Sequence, residues 1–160
     1  MKTVVTLLTL IYSISLVGCK KDPLPGLDGS DYFVFGHFYG ECQGEQCIEI
    51  FKVTPDKLQE DSKDHYPNRT DFYIGEYKDL STLKYQKAKD LVTLLPDSLL
   101  LKPNQEFGCA DCADGGGLYI EYKKGDLHNF WIIDQNKNQI PKFLHSFTDS
   151  VNSVIEKISD

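Results

Sequence analysis

Cysteines are the residues of this sequence with the most evident chemistry, and there are five of them. Four form two close pairs, Cys42 with Cys47 and Cys109 with Cys112, and the fifth is Cys19. Cysteines that are kept reduced bind zinc or exchange disulfides, whereas cysteines in an oxidising compartment form disulfides. The compartment of the protein therefore decides between these chemistries.

The amino-terminal residues 1–18 have the pattern of a signal peptide. A basic residue is followed by an apolar run that is shorter than the ~20 residues needed to span a bilayer. The run ends in Leu-Val-Gly directly before Cys19, which is the arrangement of a bacterial lipobox. We therefore expect cleavage after residue 18, acylation of Cys19 and a flexible tether over residues 19–30.

Acylation of Cys19 would anchor the chain to a membrane, so the first expected partner is the membrane itself. The next residue is Lys20, not the aspartate that retains lipoproteins at the inner membrane. This favours the outer membrane, with the domain facing the periplasm or the cell surface.

An oxidising envelope favours disulfides for the other four cysteines. The spacing favours local pairs, Cys42–Cys47 and Cys109–Cys112, because each pair is close in sequence and lies at a predicted turn. Cross-pairing between the two segments is the alternative, and it would restrain the unfolded chain more strongly. A second hypothesis keeps all four cysteines reduced, as a metal- or thiol-dependent site.

The stretch around the second cysteine pair is the most unusual in the chain, with Asp111 and Asp114 followed by Gly115, Gly116 and Gly117. A calcium loop would place oxygen ligands at every second position and add a distal glutamate, and neither feature is present. The simpler interpretation is a tight turn, in which glycines supply positive φ angles and aspartates accept bonds from backbone N–H groups. We treat these five residues as a candidate binding loop and predict no bound metal.

Charge and motifs exclude several classes of function. The formal net charge is −7, from 24 acidic and 17 basic residues, which argues against a nucleic-acid partner. The sequence has no metal-hydrolase histidine spacing, phosphate-binding loop, dinucleotide fingerprint or nucleophile elbow. We therefore assign no catalytic residue and no cofactor. Glu41, Glu45 and Glu49 are expected to form a solvated acidic rim around the first cysteine pair.

Four stretches rich in β-branched and aromatic residues predict strands that pair as two hairpins. They are residues 32–39 with 47–53 and 118–123 with 128–134. Weaker patterns predict a short strand near Leu58 and a third strand over residues 72–77. Residues 103–117 are expected to be a long loop because they contain four glycines and show no apolar period.

Two amphipathic helices are predicted, over residues 81–95 and 141–158. In the second, apolar residues such as Leu144, Phe147 and Val151 recur at helical spacing, so this face should be buried. Each helix follows a hairpin, so the expected fold is α+β. It would be a two-layer sandwich built from two ββα units, with an antiparallel sheet and both helices on one face.

The stretches HFYGECQGEQCIEIFKV, FGCADCADGGGLYIEY and FWIID resemble a set of small, uncharacterised lipoproteins of Gram-negative bacteria. The resemblance covers most of residues 32–158. It implies the lipoprotein class and a shared fold, and it implies no particular activity.

The sequence as a whole predicts an outer-membrane lipoprotein with one α+β domain over residues 31–160. Its expected role is non-enzymatic: disulfides stabilise the domain, which binds a small ligand or another envelope protein. The alternative is the metal- or thiol-dependent protein that uses Cys42, Cys47, Cys109 and Cys112.

Overall fold

The computed structural model describes residues 26–112 and 114–159. The predicted signal peptide, Cys19 and most of the predicted tether lie outside the described residues. In chain order the strands are β1 (Tyr32–Phe38), β2 (Ile48–Val53), β3 (Leu58–Asp61), β4 (Tyr77–Asp79), β5 (Gln105–Phe107), β6 (Gly117–Lys124) and β7 (Leu127–Asp134). The helices are α1 (Thr82–Ala88), α2 (Asp97–Leu100) and α3 (Lys142–Ile158).

The strands form one seven-stranded sheet in the order β4-β3-β2-β1-β6-β7-β5. All neighbours are antiparallel except β5, which pairs with β7 in parallel. The predicted α+β class is therefore confirmed, as are the two predicted hairpins, β1–β2 and β6–β7. Strands β1 and β6, which begin the two hairpins, pair with each other over residues 32–38 and 117–123. The two hairpins therefore meet at the centre of the sheet.

Strand β1 shows why the centre of the sheet is buried on both faces. Phe33 and Phe35 point into a core that also contains the buried residues of the helices. Val34 and Phe38 alternate with them and belong to a second apolar cluster on the opposite face. Because both faces are covered, apolar residues at both even and odd positions of the strand are buried.

Helix α3 contributes more buried residues to the first core than α1 or α2 does. Pro141 precedes its first residue, where a missing N–H costs nothing. Leu144, Phe147 and Val151 are all buried, as their spacing predicts. No helix among residues 26–112 and 114–159 is both long and apolar enough to cross a membrane.

The first predicted helix is shorter in the structure. Its α-helical part ends at Ala88, and Leu91–Leu94 form a 3₁₀ turn before Pro96. The Thr93 hydroxyl donates to the Asp90 carbonyl oxygen at 2.7 Å, and such local bonds compete with α-helical ones. Leu83 in α1 is 78% exposed.

Two of the weaker sequence predictions are wrong. The segment over residues 72–77 is not a strand except at its last residue, since β4 begins at Tyr77. The predicted loop over residues 103–117 contains the edge strand β5. Local patterning missed β5 because its partner β7 lies far along the chain. The predicted short strand near Leu58 is present as β3.

The sheet face opposite the helices is covered by residues 62–76, which we call the covering segment. Phe72 packs against Phe130, with ring centroids 5.4 Å apart, and Tyr73 donates its backbone N–H to the Tyr119 hydroxyl at 2.8 Å. The Tyr73 hydroxyl in turn donates to the buried Asp61 carboxylate at 2.7 Å. The aromatic residues that resemble a strand in the sequence are therefore used as a cover for the sheet.

Candidate functional site

Two disulfide-bonded loops meet at one end of the sheet. The first loop (residues 39–47) joins β1 to β2, and the second loop (residues 108–116) joins β5 to β6. Cys42 pairs with Cys47 and Cys109 pairs with Cys112, with Cα–Cα distances of 5.5 and 5.4 Å. The local pairing predicted from the spacing is the one that the structure contains.

The first loop is held by its own backbone, by its disulfide and by bonds to His37 and Asp111, with His37 Nε2 3.0 Å from the Gln46 carbonyl oxygen. The Tyr39 N–H donates to the Cys47 carbonyl oxygen at 2.9 Å, and the Cys47 N–H donates to the Gly44 carbonyl oxygen at 3.2 Å. Cys47 is buried directly before β2, whereas Cys42 is exposed. The disulfide therefore ties the exposed tip of the loop to a fixed point in the sheet.

Asp111 connects the two loops. Its carboxylate oxygen Oδ2 accepts from the Gly40 N–H and from the Tyr66 hydroxyl, both at 2.8 Å. Its other oxygen accepts from the Gly116 N–H at 3.1 Å, and its own N–H donates to the Gly116 carbonyl oxygen at 2.9 Å. Burial and the hydrogen bond to Asp111 raise the pKa of Tyr66. One carboxylate thus joins the first loop, the second loop and the covering segment.

The second loop is also held by side chains from three other parts of the fold. Asp134 at the end of β7 accepts from the Cys109 N–H at 2.9 Å, and Glu106 in β5 accepts from the Ala110 N–H at 2.9 Å. Arg69 of the covering segment donates to both Glu106 carboxylate oxygens at 2.6 and 2.8 Å, and to the Ala110 carbonyl oxygen at 2.6 Å. The shape of this loop is therefore fixed by hydrogen bonds in addition to its disulfide.

The three glycines of the candidate binding loop have different roles. Gly116 has φ +71°, and a Cβ there would collide with the Tyr39 ring. At Gly117 a Cβ would collide with the Phe38 ring. At Gly115 the nearest atom to an added Cβ is 3.9 Å away, so that position has room for a side chain. The predicted tight turn is present, with Asp111 and Asp114 also at positive φ.

An open groove of about 700 Å³ lies beside the two loops. It is lined by Tyr39, Glu41, Cys42, Gln43, Gly44, Gln46, Cys47 and Asp114. The lining combines one aromatic ring with amide and carboxylate groups, and it contains no lysine or arginine. Such a surface can stack on a flat or ring-shaped group and accept hydrogen bonds from it.

The structure places the predicted site residues in two groups. Asp114, Cys42 and Cys47 line the groove, whereas Asp111 and Gly116 maintain the shape of its wall. Within residues 26–112 and 114–159, no group of three or more His, Cys, Asp or Glu side chains is placed to hold a metal ion. Cys19 lies outside these residues.

The predicted solvated acidic rim is wrong at Glu49. Glu41 is exposed, but Glu49 is buried, with its carboxylate 3.2 Å from His37 Nε2. Burial raises the pKa of Glu49, but bonds to His37 and Ser159 outweigh this effect and leave the pKa below its ordinary value. Glu49 therefore fastens β2 to β1 just after the first loop.

A second polar cluster, on the sheet face opposite the helices, was not found by sequence reasoning. Glu121 is only 2% exposed, and it accepts hydrogen bonds from the Tyr119 and Tyr32 hydroxyls at 2.6 and 2.8 Å. His128 Nε2 lies 2.9 Å from the same carboxylate. Burial, together with the neighbouring Glu121, raises the pKa values of Tyr32 and Tyr119. The only sequence signal was one glutamate in the aromatic strand LYIEYK.

The chain matches no protein-family profile, and no curated protein is significantly similar to it in sequence.

Proposed function

We propose that the protein is an outer-membrane lipoprotein whose disulfide-stabilised domain binds a ligand or another envelope protein in the groove beside its two cysteine loops. The domain would be held at the membrane by the lipid on Cys19, and its role would be binding without catalysis. The proposal of an anchor rests on the lipobox-like sequence before Cys19 and on the resemblance to small bacterial lipoproteins.

The observation that carries the binding role is the way the groove is built. Its lining comes from the first loop and, at Asp114, from the second; each loop is closed by a disulfide, and Asp111 joins the two. A wall that is fixed before binding loses less entropy when a ligand arrives, so ordered loops favour recognition. The volume of about 700 Å³ lies within the range of small-molecule sites.

The lining indicates the chemistry of the occupant. Glu41 and Asp114 are acidic, and the amides of Gln43 and Gln46 can both donate and accept. Tyr39 offers a ring face. These groups favour a polar occupant that carries hydroxyl or amino groups, either as a free molecule or as a side chain of an envelope protein.

The metal- or thiol-dependent alternative is less well supported. All four of its cysteines are paired in disulfides, and a disulfide supplies no thiolate for zinc or for nucleophilic attack. Cys109 and Cys112 also lie in a loop without the helix N-terminus that activates thioredoxin-like cysteines.

We also infer that the domain consists of two ββα units in two layers, β1–β2–α1 and β6–β7–α3. The buried residues of α1 and α3 lie in the same core as the inward residues of both hairpins, which supports this description. Strands β3, β4 and β5 would then be additions at the edges of the sheet.

The anchor is tested by changing Cys19→Ser in the full chain and following membrane fractionation and incorporation of a labelled fatty acid. We expect the native protein to take up label and sediment with membranes, and the variant to do neither. The double variant Cys109→Ser/Cys112→Ser is the control and should remain labelled. Labelling of the Cys19 variant would contradict the proposed anchor.

The groove is tested by site-specific photo-crosslinking in intact cells. A photoreactive residue at Gln43, in the groove, should give a discrete adduct, and the adduct should weaken when Tyr39→Ala is added. The matched control is Gln105, an exposed glutamine on the edge strand β5. Equal adducts at both positions, or none at Gln43, would contradict binding in the groove and leave the anchor untouched.

A further inference from the structure

The described chain enters the domain at one end of the sheet, beside the turn between β6 and β7. The Asp31 carboxylate accepts a hydrogen bond from a backbone N–H of that turn at 3.0 Å, and Lys124 Nζ donates to the Gly26 carbonyl oxygen at 2.7 Å. Leu27, which lies between these two contacts in the sequence, packs against the first core. Residues 26–31 are therefore fixed to this end of the sheet, which we call the entry end.

The groove lies at the other end of the same strands. Strand β1 begins at the entry end, where Tyr32 pairs with Lys123 of β6, and it finishes where Phe38 pairs with Gly117. The first loop follows directly, and its first residue, Tyr39, lines the groove. At about 3.3 Å per residue, the strand from Tyr32 to Tyr39 spans about 23 Å. The entry end and the groove are thus separated by the length of the sheet.

The number of residues between Cys19 and the entry end limits how an anchored domain can be oriented. Cys19 is seven positions before Gly26, and a chain of that length reaches at most about 25 Å when fully extended. To bring the groove to the membrane, the domain would have to invert, and the chain would have to run about 23 Å back along the sheet. Almost the whole reach would be used, and so extended a chain has few conformations, which makes this orientation unfavourable. A domain held through Cys19 therefore turns its entry end toward the membrane and its groove away from it.

The hydroxyl and amino groups that the groove favours have two sources beside a membrane. Water-soluble molecules carry them, and so do lipid headgroups such as that of phosphatidylethanolamine. Such a headgroup also carries a phosphate, which lysine and arginine side chains bind. The described lining of the groove contains neither residue, and the carboxylates of Glu41 and Asp114 would repel a phosphate. Charge therefore disfavours a phospholipid headgroup in the groove, as the orientation of the domain does.

We propose that the groove takes a water-soluble occupant that approaches from the side facing away from the membrane, and that it does not take a lipid of the anchoring leaflet. This rests on the proposed anchor at Cys19 and on the proposed binding role of the groove, and it adds the source of the occupant. The domain then acts as a spacer of about 23 Å between the leaflet and the groove.

The test is resonance energy transfer from the protein to the membrane. The full-length protein is expressed in Gram-negative cells, purified in detergent and reconstituted in vesicles of phosphatidylethanolamine and phosphatidylglycerol that contain a headgroup-labelled acceptor lipid. A small fluorophore is introduced as an unnatural amino acid, either at Asp126 in the exposed turn at the entry end or at Gln43 in the groove. We expect strong transfer from Asp126 and much weaker transfer from Gln43, because the two ends of the sheet are about 23 Å apart.

The matched control is a fluorophore at Asn138, which is exposed beyond the end of β7, at the same end of the sheet as the groove but outside its lining. Transfer from Asn138 should be as weak as transfer from Gln43. Equal transfer from Asp126 and Gln43 would mean that the domain has no preferred orientation, and this would overturn the proposal. Stronger transfer from Gln43 than from Asn138 would place the groove at the headgroups and would overturn it as well.

Cys19→Ser separates the anchor from the orientation. This variant should neither sediment with the vesicles nor show transfer from any of the three positions. If the protein with its native Cys19 behaves in the same way, the anchor is contradicted and the proposed orientation is overturned with it, whereas photo-crosslinking at Gln43 still tests the groove. If that protein sediments with the vesicles but shows its strongest transfer from Gln43, only the orientation is overturned and the anchor stands.

Discussion

The two cysteine loops are closed by similar disulfides but are held to the molecule in different ways. In the first loop, one cysteine is exposed and the other is buried directly before a strand, and the described bonds from outside are one to His37 and one to Asp111. In the second loop both cysteines are exposed, yet Asp134, Glu106 and Arg69 fasten its backbone from outside. The first loop therefore depends on its disulfide more than the second does.

This difference shows how an irregular site is given a fixed shape. The second loop contributes Asp114 to the groove, and it contacts the first loop, which supplies the rest of the lining, through the bond from the Gly40 N–H to Asp111. The contribution of a disulfide and that of a hydrogen-bond network are thus separable, because the two loops use them in different proportions.

The largest loss of stability should come from Asp111→Ala, which disconnects the two loops. The change removes the acceptor of three hydrogen bonds and places alanine at φ +59°, so we expect a loss of about 3 kcal/mol in the free energy of unfolding. Asp114→Ala is the matched control, since Asp114 is exposed and has φ +58°. Denaturant unfolding measures both, and an equal loss in the two variants would contradict the connecting role of Asp111.

A smaller effect is expected where the second loop contacts Tyr39. Gly116→Ala should cost about 1–2 kcal/mol, because alanine is strained at φ +71° and its Cβ meets the Tyr39 ring. Gly115→Ala should change stability by less than about 0.5 kcal/mol, because its Cβ has room. Thermal unfolding measures the stability of the two variants. A larger loss of stability for Gly115→Ala than for Gly116→Ala would contradict the close contact between Gly116 and the Tyr39 ring.

The smallest effect concerns the base of the first loop and depends on pH. The pKa of Glu49 is lowered in the folded protein, so the unfolded chain binds more protons near the ordinary value of 4.5. Its stabilising contribution is present above that pH and is lost as the pH falls through the lowered value. The difference in Tm between the native protein and Glu49→Gln should therefore shrink on acidification. Glu41→Gln, at an exposed site, should show no such trend.

The regular part of the fold could be predicted from the sequence because its signals are local. The hairpin strands follow from runs of β-branched and aromatic residues, and α3 follows from helical spacing, in agreement with the burial of Phe33, Phe35 and Phe147. Strand β5 and the covering segment could not be predicted in the same way. Their positions depend on partners far along the chain, such as β7 for Gln105 and Tyr119 for Tyr73.

The candidate site could be predicted only in part, because some of its features are local in sequence and others are not. The short spacing within each cysteine pair indicated the local disulfides, and the glycines indicated the tight turn. The bond between Gly40 and Asp111 spans 71 positions in the sequence, so no local pattern could reveal that the two loops meet. The burial of Glu49 beside His37 likewise depends on the register of β1 against β2.

The central claim is that two local disulfides fix the loops around the groove, and peptide mapping without reduction tests it most directly. Protein isolated from its native cells without reductant is alkylated, digested and analysed by mass spectrometry. We predict that none of Cys42, Cys47, Cys109 and Cys112 is alkylated and that the linked pairs are Cys42–Cys47 and Cys109–Cys112. A link between the two loops would contradict the geometry of the groove. Four alkylated cysteines, with one zinc ion per chain in metal analysis, would contradict the disulfide-stabilised site and favour the metal-dependent alternative.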